Sequence, residues 1–242
     1  MLELVTLPPA FGMRNVSPFC LKIEMLLTAL EVPFTASEEA NPGKAPKGKL
    51  PYLVAEGQTI ADSELIAEYL DGITDGRVYR GMTSQQKAHG VALTRLAEDH
   101  LYWMVVASRW LDDAWWPNVV SGFFHIAPKP VRPLVAGLAR RQVRQTFNLQ
   151  GLGRHTLKEQ KEFAARDLQA LEDAVPESGF LFGETPNIFD FTIAGMMAGA
   201  YDNQPATWIT GLALGYKKLH AYTERVQETI GVYGRALDSS EA

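Results

Sequence analysis

The chain has 242 residues, 46% of them hydrophobic, which suffices for one large or two small domains with a full core. A formal net charge of −5 and a pI near 5.6 argue against a dedicated nucleic-acid or anionic-membrane surface, and a single cysteine excludes internal disulfides and multi-cysteine metal sites. The five histidines show no metal-ligand spacing. The sequence has no run of about 18 apolar residues that would predict a transmembrane helix, and its N-terminus lacks the basic region of a secretory signal. We therefore expect a protein of the reducing cytoplasm.

The chain begins with a predicted strand and a predicted helix. Leu2–Leu7 alternates and is apolar enough for the strand. One helical face then repeats at Ile23, Leu26, Leu27 and Leu30. Pro18 suits the first helical position, since its missing N–H would be unpaired there, and Ser17 falls at the N-cap. The free amides and the helix dipole also favour an anion such as a thiolate, so Ser-Pro-Phe-Cys (residues 17–20) is either a helix cap or a thiol-handling site.

Two further extended segments and a second helix follow. A proline in Glu31–Thr35 disfavours helix before it, so this stretch is predicted to open an extended segment. The polar stretch Ser37–Lys49 indicates a loop or a poorly formed helix. Leu50–Val54 is a predicted strand with Thr59-Ile60 as its hairpin partner, and Asp62 is the acidic N-cap of a helix. The predicted order is β-α-β, then a hairpin, then a helix.

The rest of the chain has a helical pattern. Asp71–Met82 holds three glycines and indicates an inter-domain linker. One side of a long helix is predicted at Leu93, Leu96, His100, Trp103 and Ala107, and a later helix repeats at Ala164, Leu168, Leu171 and Val175. Trp115-Trp116-Pro117 is predicted to end a helical stretch, the arginines at 140, 141 and 144 to form a solvated helix face, and Asp238–Ala242 to fray.

Four features together resemble the glutathione transferase superfamily. Residues 17–20 resemble its serine-type motif, and Lys49-Leu50-Pro51 resembles the segment ahead of strand three, whose proline is cis in that family. Asp62-Ser63 resembles the acidic-serine pair that receives the γ-glutamyl end of glutathione. Asn187–Asp190 resembles the capping box of a core helix, in which side chains satisfy amides in both directions.

The resemblance implies an α/β plus all-α fold. We expect a thioredoxin-like glutathione-binding domain over residues 1–75, a linker over 76–83 and an all-helical domain over 84–242. A narrower likeness, carried by Ser-Pro-Phe-Cys-Leu-Lys-Ile-Glu and by Gln150–His155, is to the failed-axon-connections and metaxin-like branch, which contains members whose enzymatic role is unclear. The implied alternatives are a glutathione transferase and a non-catalytic protein-binding module.

The resemblance assigns the central role to Ser17. Lowering a thiol pKa from about 8.5 to about 6.5 requires about 2.7 kcal/mol of preferential thiolate stabilisation. A hydroxyl hydrogen bond to the anion gives roughly 1.5–3 kcal/mol and a helix terminus roughly 0.3–1 kcal/mol more. Ser17 would therefore be a donor to the glutathione thiolate, not a nucleophile or a base. The alternative is that it only caps the helix.

Three neighbours of Ser17 are also candidates. Cys20 near a helix N-terminus has the pattern of a reactive thiol, which would make the protein a glutathione-dependent thiol oxidoreductase. It also lies far enough inside the helix to point at the core, and we favour a buried small hydrophobe. Asn15 and Arg14 are placed to reach the glutathione sulfur, or are solvated loop residues.

The tripeptide site implied by the resemblance comprises Lys49, Leu50, Pro51, Asp62 and Ser63. A cis Leu50–Pro51 bond would turn the Leu50 amide and carbonyl outward for pairing with an extended peptide; the alternative is an ordinary trans proline. Asp62 and Ser63 offer a carboxylate for the ligand ammonium and a hydroxyl with amides for its carboxylate, or serve only as a cap. Lys49 is expected on the glycyl carboxylate, with rival lysines at 44 and 47.

The expected second substrate is an apolar electrophile. Aromatic residues concentrate in one stretch of the helical domain, and one or two of them facing the first domain would form its pocket: Tyr102, Trp103, Trp110, Trp115, Trp116, Phe123 and Phe124. Glutathione is expected as co-substrate, with no tightly bound cofactor and no metal. The family also implies a homodimer, without a nucleic-acid partner or a membrane span.

Overall fold

A computed structural model describes residues 1–236, so the predicted fraying of Asp238–Ala242 lies outside the described residues. Four strands form one mixed sheet in the order β2-β1-β3-β4. Their bounds are β1 Leu2–Thr6, β2 Phe34–Glu38, β3 Tyr52–Ala55 and β4 Gln58–Ala61. β1 is parallel to β2 and antiparallel to β3, which is antiparallel to β4. The parallel pair needs a crossover, and helix α1 (Pro18–Ala29) supplies it.

The predicted order of elements in this half of the chain is confirmed. Leu4 and Leu53 pair across β1 and β3 and are fully buried at the centre of the sheet. The hairpin turns at Glu56-Gly57, both with positive φ. The stretch predicted as loop or weak helix contains the end of β2 and one 3₁₀ turn, Pro42–Lys44. Helix α2, Ser63–Ile73, completes this half.

The second half of the described chain is helical. Its helices are α3 Ser84–Arg95, α4 Tyr102–Trp110, α5 Trp116–Phe123, α6 Arg132–Gln150, α7 Leu157–Ala174, α8 Ile188–Tyr201, α9 Trp208–Ala213 and α10 Lys217–Ile230. No helix or strand lies between Ile73 and Ser84, where the linker is predicted. The division into domains at residues 75 and 84 stays a prediction. None of the helices within residues 1–236 has the length and hydropathy needed to cross a bilayer.

The predicted face of the long helix is partly wrong. A π-helical segment, Leu96–Leu101, joins α3 to α4. Its wider turns shift the sequence positions that face inward, since each π turn takes more residues than an α turn. The fully buried side chains are therefore those of Ala97, Leu101 and Met104, whereas His100 and Trp103 are only partly buried.

Two further expectations are corrected. Trp116-Pro117 begins α5 and does not end a helix, because proline is tolerated in a first helical turn. Arg140 does not lie on a solvated face: its guanidinium donates to the carbonyls of Trp110 and Leu111 at the end of α4 and pairs with Asp113. It therefore satisfies carbonyls left free by the helix terminus.

Helix α8 is the core of the helical half. The predicted capping box is present: the Asn187 side chain accepts from the Phe189 amide, and Asp190 accepts from the Asn187 amide at 2.8 Å. Gly195 allows α1 to pack closely on α8, since a Cβ there would lie 2.8 Å from the Pro18 carbonyl oxygen. Confirming the predicted periodicity of α7, Ala164, Leu168, Leu171 and Val175 are all buried.

The end of the described chain pairs with the loop between β1 and α1. The Arg14 amide donates to the Gly234 carbonyl at 2.8 Å, and the Ala236 amide donates to the Gly12 carbonyl at 2.9 Å. Met13 and Arg235 form an antiparallel bridge between them. This loop leads directly into Ser17, so it is held at a place remote in sequence.

Candidate functional site

Ser17 is the N-cap of α1, as predicted. Its Oγ accepts a hydrogen bond from the Cys20 amide at 3.3 Å, and its own amide donates to Asn15 Oδ1 at 3.0 Å. The cap uses a lone pair of the hydroxyl and not its O–H, so the O–H can turn toward a ligand. Ser17 is only 8% exposed, and exclusion of water strengthens a hydrogen bond made there. Capping and thiolate binding are therefore compatible roles for the same hydroxyl.

Cys20 is buried, as expected of a small core hydrophobe. It is 0% exposed and packs with Val5, Ala45 and Leu50. Burial raises the pKa of its thiol to about 11, although hydrogen bonding to Ser17, the Leu7 backbone and Asn15 opposes this. A protonated, covered thiol is a poor nucleophile, so the structure argues against a thiol oxidoreductase that acts through Cys20.

Asn15 and Arg14 have different environments. Asn15 is buried and holds the Ser17 amide through Oδ1. Arg14 is half-exposed, and its guanidinium forms an ion pair with Glu24, two turns into α1. Arg14 is thus occupied by a carboxylate of its own chain, whereas Asn15 lies in the immediate surroundings of the cap.

Leu50 lies beside the start of α1, in the same apolar cluster as Cys20. The Leu50–Pro51 bond is cis, as the resemblance implies. The Leu50 amide and carbonyl have no backbone hydrogen-bond partner among residues 1–236, and these are the groups that an added extended peptide would pair with. Lys49 is exposed and adjacent.

Asp62 and Ser63 begin α2, with Asp62 as the N-cap. Asp62 Oδ1 accepts from the Glu64 amide at 2.9 Å, and the Asp62 side chain is exposed. Ser63 is buried, and its Oγ lies 3.5 Å from Lys22 Nζ on α1. The first turns of α1 thus bring together Ser17, Leu50 (through Cys20) and Ser63.

Lys22 and Glu98 were not predicted as site residues. Lys22 Nζ donates to Glu98 Oε1 at 2.8 Å, so a buried ion pair connects α1, the Ser63 hydroxyl and the π-helical segment. Burial raises the pKa of Glu98, and Lys22 opposes that rise. A lysine inside the apolar run Phe19–Leu27 was the signal in the sequence, because a charge on a buried helix face requires a partner.

Aromatic contacts of Phe11 and Phe19 join the helical half to the Ser17 loop and helix. Phe19 on α1 meets Tyr102 edge-to-face, with ring centroids 5.0 Å apart. Phe11, in the loop before Ser17, lies 4.8 Å from the rings of both Trp115 and Phe123. Of the aromatic residues predicted as candidates for the electrophile pocket, Tyr102, Trp115 and Phe123 therefore face the first half of the chain.

Comparison with known proteins decides the family. Residues 18–115 match the family model described as the glutathione S-transferase N-terminal domain. A curated relative, the isoprene-epoxide–glutathione S-transferase of Rhodococcus sp. (strain AD45), is 31% identical over 238 residues, which cover 94% of this chain and 98% of the relative. The chain belongs to the glutathione transferase family. The mixed sheet with its helices, followed by a helical half, matches the thioredoxin-like and helical domains of glutathione S-transferases.

Other matched proteins are less similar in sequence, and the solved structures among them agree on the fold. Failed axon connections of Drosophila melanogaster is 24% identical over 192 residues, 73% of this chain but only 44% of that protein. The structure of beta-etherase LigF from Sphingobium sp. strain SYK-6 superposes with a TM-score of 0.61 at 17% identity, covering 93% of this chain and 94% of that one. A Methylobacterium radiotolerans glutathione S-transferase in complex with glutathione sulfonate gives 0.61 at 13% identity, covering 98% of both chains.

Proposed function

We propose that this transferase is of the serine type and conjugates glutathione to a small apolar electrophile. Ser17 donates its hydroxyl hydrogen bond to the glutathione thiolate, whose proton has passed to solvent. The thiolate sulfur then attacks an electrophilic carbon. An epoxide fits this chemistry, as the name of the Rhodococcus relative suggests: the C–S bond forms, the ring C–O bond breaks, and the ring oxygen takes a proton from solvent.

The observation that carries the proposal is the hydrogen bonding of Ser17. Its oxygen accepts from Cys20, leaving the O–H donor at the positive end of α1 in a nearly dry position. A hydroxyl donor to an anion and the helix terminus together reach the scale of about 2.7 kcal/mol that a two-unit lowering of the thiol pKa needs.

The tripeptide would lie along three elements around α1. The unpaired amide and carbonyl of Leu50, next to Pro51, support pairing with the cysteinyl backbone of glutathione. Asp62 and Ser63, at the start of α2, would hold the γ-glutamyl ammonium and carboxylate. Lys49 would pair with the glycyl carboxylate. Electrostatic recognition at both ends fits a ligand that is an anionic peptide.

The test compares Ser17→Ala with Thr156→Ala. Both remove an N-cap hydroxyl, Thr156 being the cap of α7, so both lose about 1 kcal/mol of stability. Only Ser17→Ala should lower kcat with a chromogenic electrophile, by about 10- to 150-fold for a charge-assisted bond of about 1.5–3 kcal/mol, with the KM for glutathione nearly unchanged. Wild-type turnover in Ser17→Ala would remove Ser17 from the mechanism.

A non-catalytic binding module is the competing function. It predicts neither retention on immobilised glutathione nor a rise in melting temperature with the tripeptide, whereas a transferase is stabilised by any ligand that binds only its folded state. A thermal shift at millimolar glutathione supports the transferase, and its absence supports the module.

We infer further that the protein is a cytoplasmic homodimer. At the start of α6, four exposed apolar side chains recur at helical spacing: the N-cap residue Val131 and, within the helix, Leu134, Val135 and Leu138. An outward apolar face of this kind is typical of a surface covered by a second copy. Light scattering of the wild type and of a Leu134→Glu, Leu138→Glu variant tests this, with a dimer expected only for the wild type.

A further inference from the structure

Arg109, on α4, is a buried arginine that contacts the loop before Ser17. It is 6% exposed, and Nη1 donates to the Val16 carbonyl at 3.0 Å. Nη2 donates to the Gly199 carbonyl on α8 at 2.7 Å and lies 3.4 Å from Met13 Sδ. The guanidinium thus holds both ends of residues 13–16 against the helical half of the protein.

The charge of Arg109 has no carboxylate partner within residues 1–236. Its hydrogen-bond acceptors are two carbonyls and a thioether, and Nε has no partner among the described residues. Burial lowers its pKa to about 10, so it remains protonated at neutral pH. A buried cation is costly unless an anion compensates it, and the described residues leave that place open.

The titratable groups on the elements that contact Arg109 do not neutralise it. Tyr102, about two helical turns before Arg109 on α4, is a neutral phenol whose pKa is raised by burial. On the α1 side, the Cys20 thiol is protonated, and Arg14 is paired with Glu24. At the α8 end, Asp202 interacts electrostatically with Glu224 and Arg235.

The distance to Ser17 is short. Since one carbonyl bond and one peptide bond separate the Val16 oxygen from the Ser17 nitrogen, Arg109 Nη1 lies at most about 5.6 Å from that nitrogen. An anion that accepts the hydrogen bond of the Ser17 hydroxyl would therefore enter the field of an uncompensated buried cation. A fixed charge in a dry site acts on such an anion with little screening.

We propose that Arg109 is a positioning residue of this transferase, which fixes the loop before Ser17 and supplies the buried counter-charge of the glutathione thiolate. The inference rests on the proposed function. It adds to the Ser17 hydrogen bond a long-range contribution from the helical half of the chain.

The experiment is a pH titration of the thiolate ultraviolet absorbance of glutathione bound to the wild type, Arg109→Lys and Arg109→Met. Arg109→Met should raise the pKa of the bound thiol by about one unit, the lower end of the effect of a nearby opposite charge, and shift the acid limb of the kcat/KM profile equally. Arg109→Lys keeps the charge but loses the double hydrogen bond, so it should keep the wild-type thiol pKa while lowering the melting temperature.

The matched control is Arg140→Met. Arg140 also donates to two backbone carbonyls of the α4 end, but it is paired with Asp113. Its loss should leave the thiol pKa unchanged.

Three results overturn the inference about Arg109. One is a wild-type thiol pKa in Arg109→Met, another is an equal rise in Arg140→Met, and the third is a full one-unit rise in Arg109→Lys. If Arg109→Met does not fold, the thiol pKa measured with Arg109→Lys still tests the inference. A wild type that binds glutathione without ionising it, or does not bind it, contradicts the proposed function instead.

Discussion

Breaking the buried pair of Lys22 and Glu98 should destabilise the protein strongly. The two groups are 2.8 Å apart, and their side chains are only 3% and 7% exposed. At an effective dielectric constant of about 20, their attraction amounts to about 6 kcal/mol, which offsets a desolvation penalty of several kcal/mol for each ion. Lys22→Met removes the attraction and leaves the Glu98 carboxyl buried without its partner, so we expect a loss of about 3–5 kcal/mol at neutral pH.

The double variant Lys22→Met, Glu98→Leu removes both penalties along with the attraction. Its unfolding free energy should return to within about 1–2 kcal/mol of the wild type, since apolar replacement of a buried pair is often neutral. Urea unfolding of the wild type, both single variants and the double variant gives the coupling energy from one thermodynamic cycle.

The same cycle tests the link to the proposed glutathione site. Because Lys22 Nζ lies 3.5 Å from Ser63 Oγ, the double variant should bind glutathione more weakly than the wild type even though its stability is recovered. A Lys22→Met variant within about 1 kcal/mol of the wild type, or a double variant as unstable as the singles, would refute the reasoning.

Three further predictions concern single positions. Gly122→Ala should lower the free energy of unfolding by about 1–3 kcal/mol, since its Cβ would lie 2.3 Å from the Phe11 ring. Gly137→Ala, with open space around its Cβ, should be neutral or stabilising. Equal effects of the two substitutions in thermal unfolding would contradict this. Burial raises the pKa of Asp202 from 3.8 to about 6, so the folded state binds the proton more tightly and stability rises as the pH falls from above 6 to below 4. Asp202→Asn should remove that pH dependence and add about 2–3 kcal/mol at pH 8, and an unchanged slope in urea unfolding would refute it. Cys20, 0% exposed, should resist a disulfide reagent in the native protein at neutral pH and react on denaturation; rapid native labelling would contradict its burial.

Local signals account for what the sequence predicted well. The adjacent residues Ser17 and Pro18 predict the start of one helix, and Asn187 with Asp190, three residues later, predicts the start of another. The alternation of β1 and the turn after β3 are equally local. These features depend on hydrogen bonds between near neighbours, so the order of elements in the first half could be predicted.

What the sequence did not predict depends on distant contacts. The π-helical segment shifts the inward face of the long helix, and no local sequence pattern predicts the additional residues in its turns. The local sequence predicts Arg140 in solvent, because its carbonyl partners are about 30 residues away and give no local signal. Lys22 and Arg109 contact partners on other elements, which the local sequence does not identify. A charged residue in an apolar helix nevertheless indicates that a buried partner is needed.

The pairing of Gly12–Arg14 with Gly234–Ala236 has a consequence for how the protein is made. The loop that leads into Ser17 and its partner lie on opposite sides of the whole helical half in the sequence, so that half must be synthesised before the two can pair. During synthesis the sheet and α1 can form early, because their contacts are close in sequence, but this loop has no strand to pair with until residue 236 has emerged. The proposed thiolate site would then be completed only after residues 234–236 have been synthesised, and a ribosome-bound fragment of the first half would not activate glutathione.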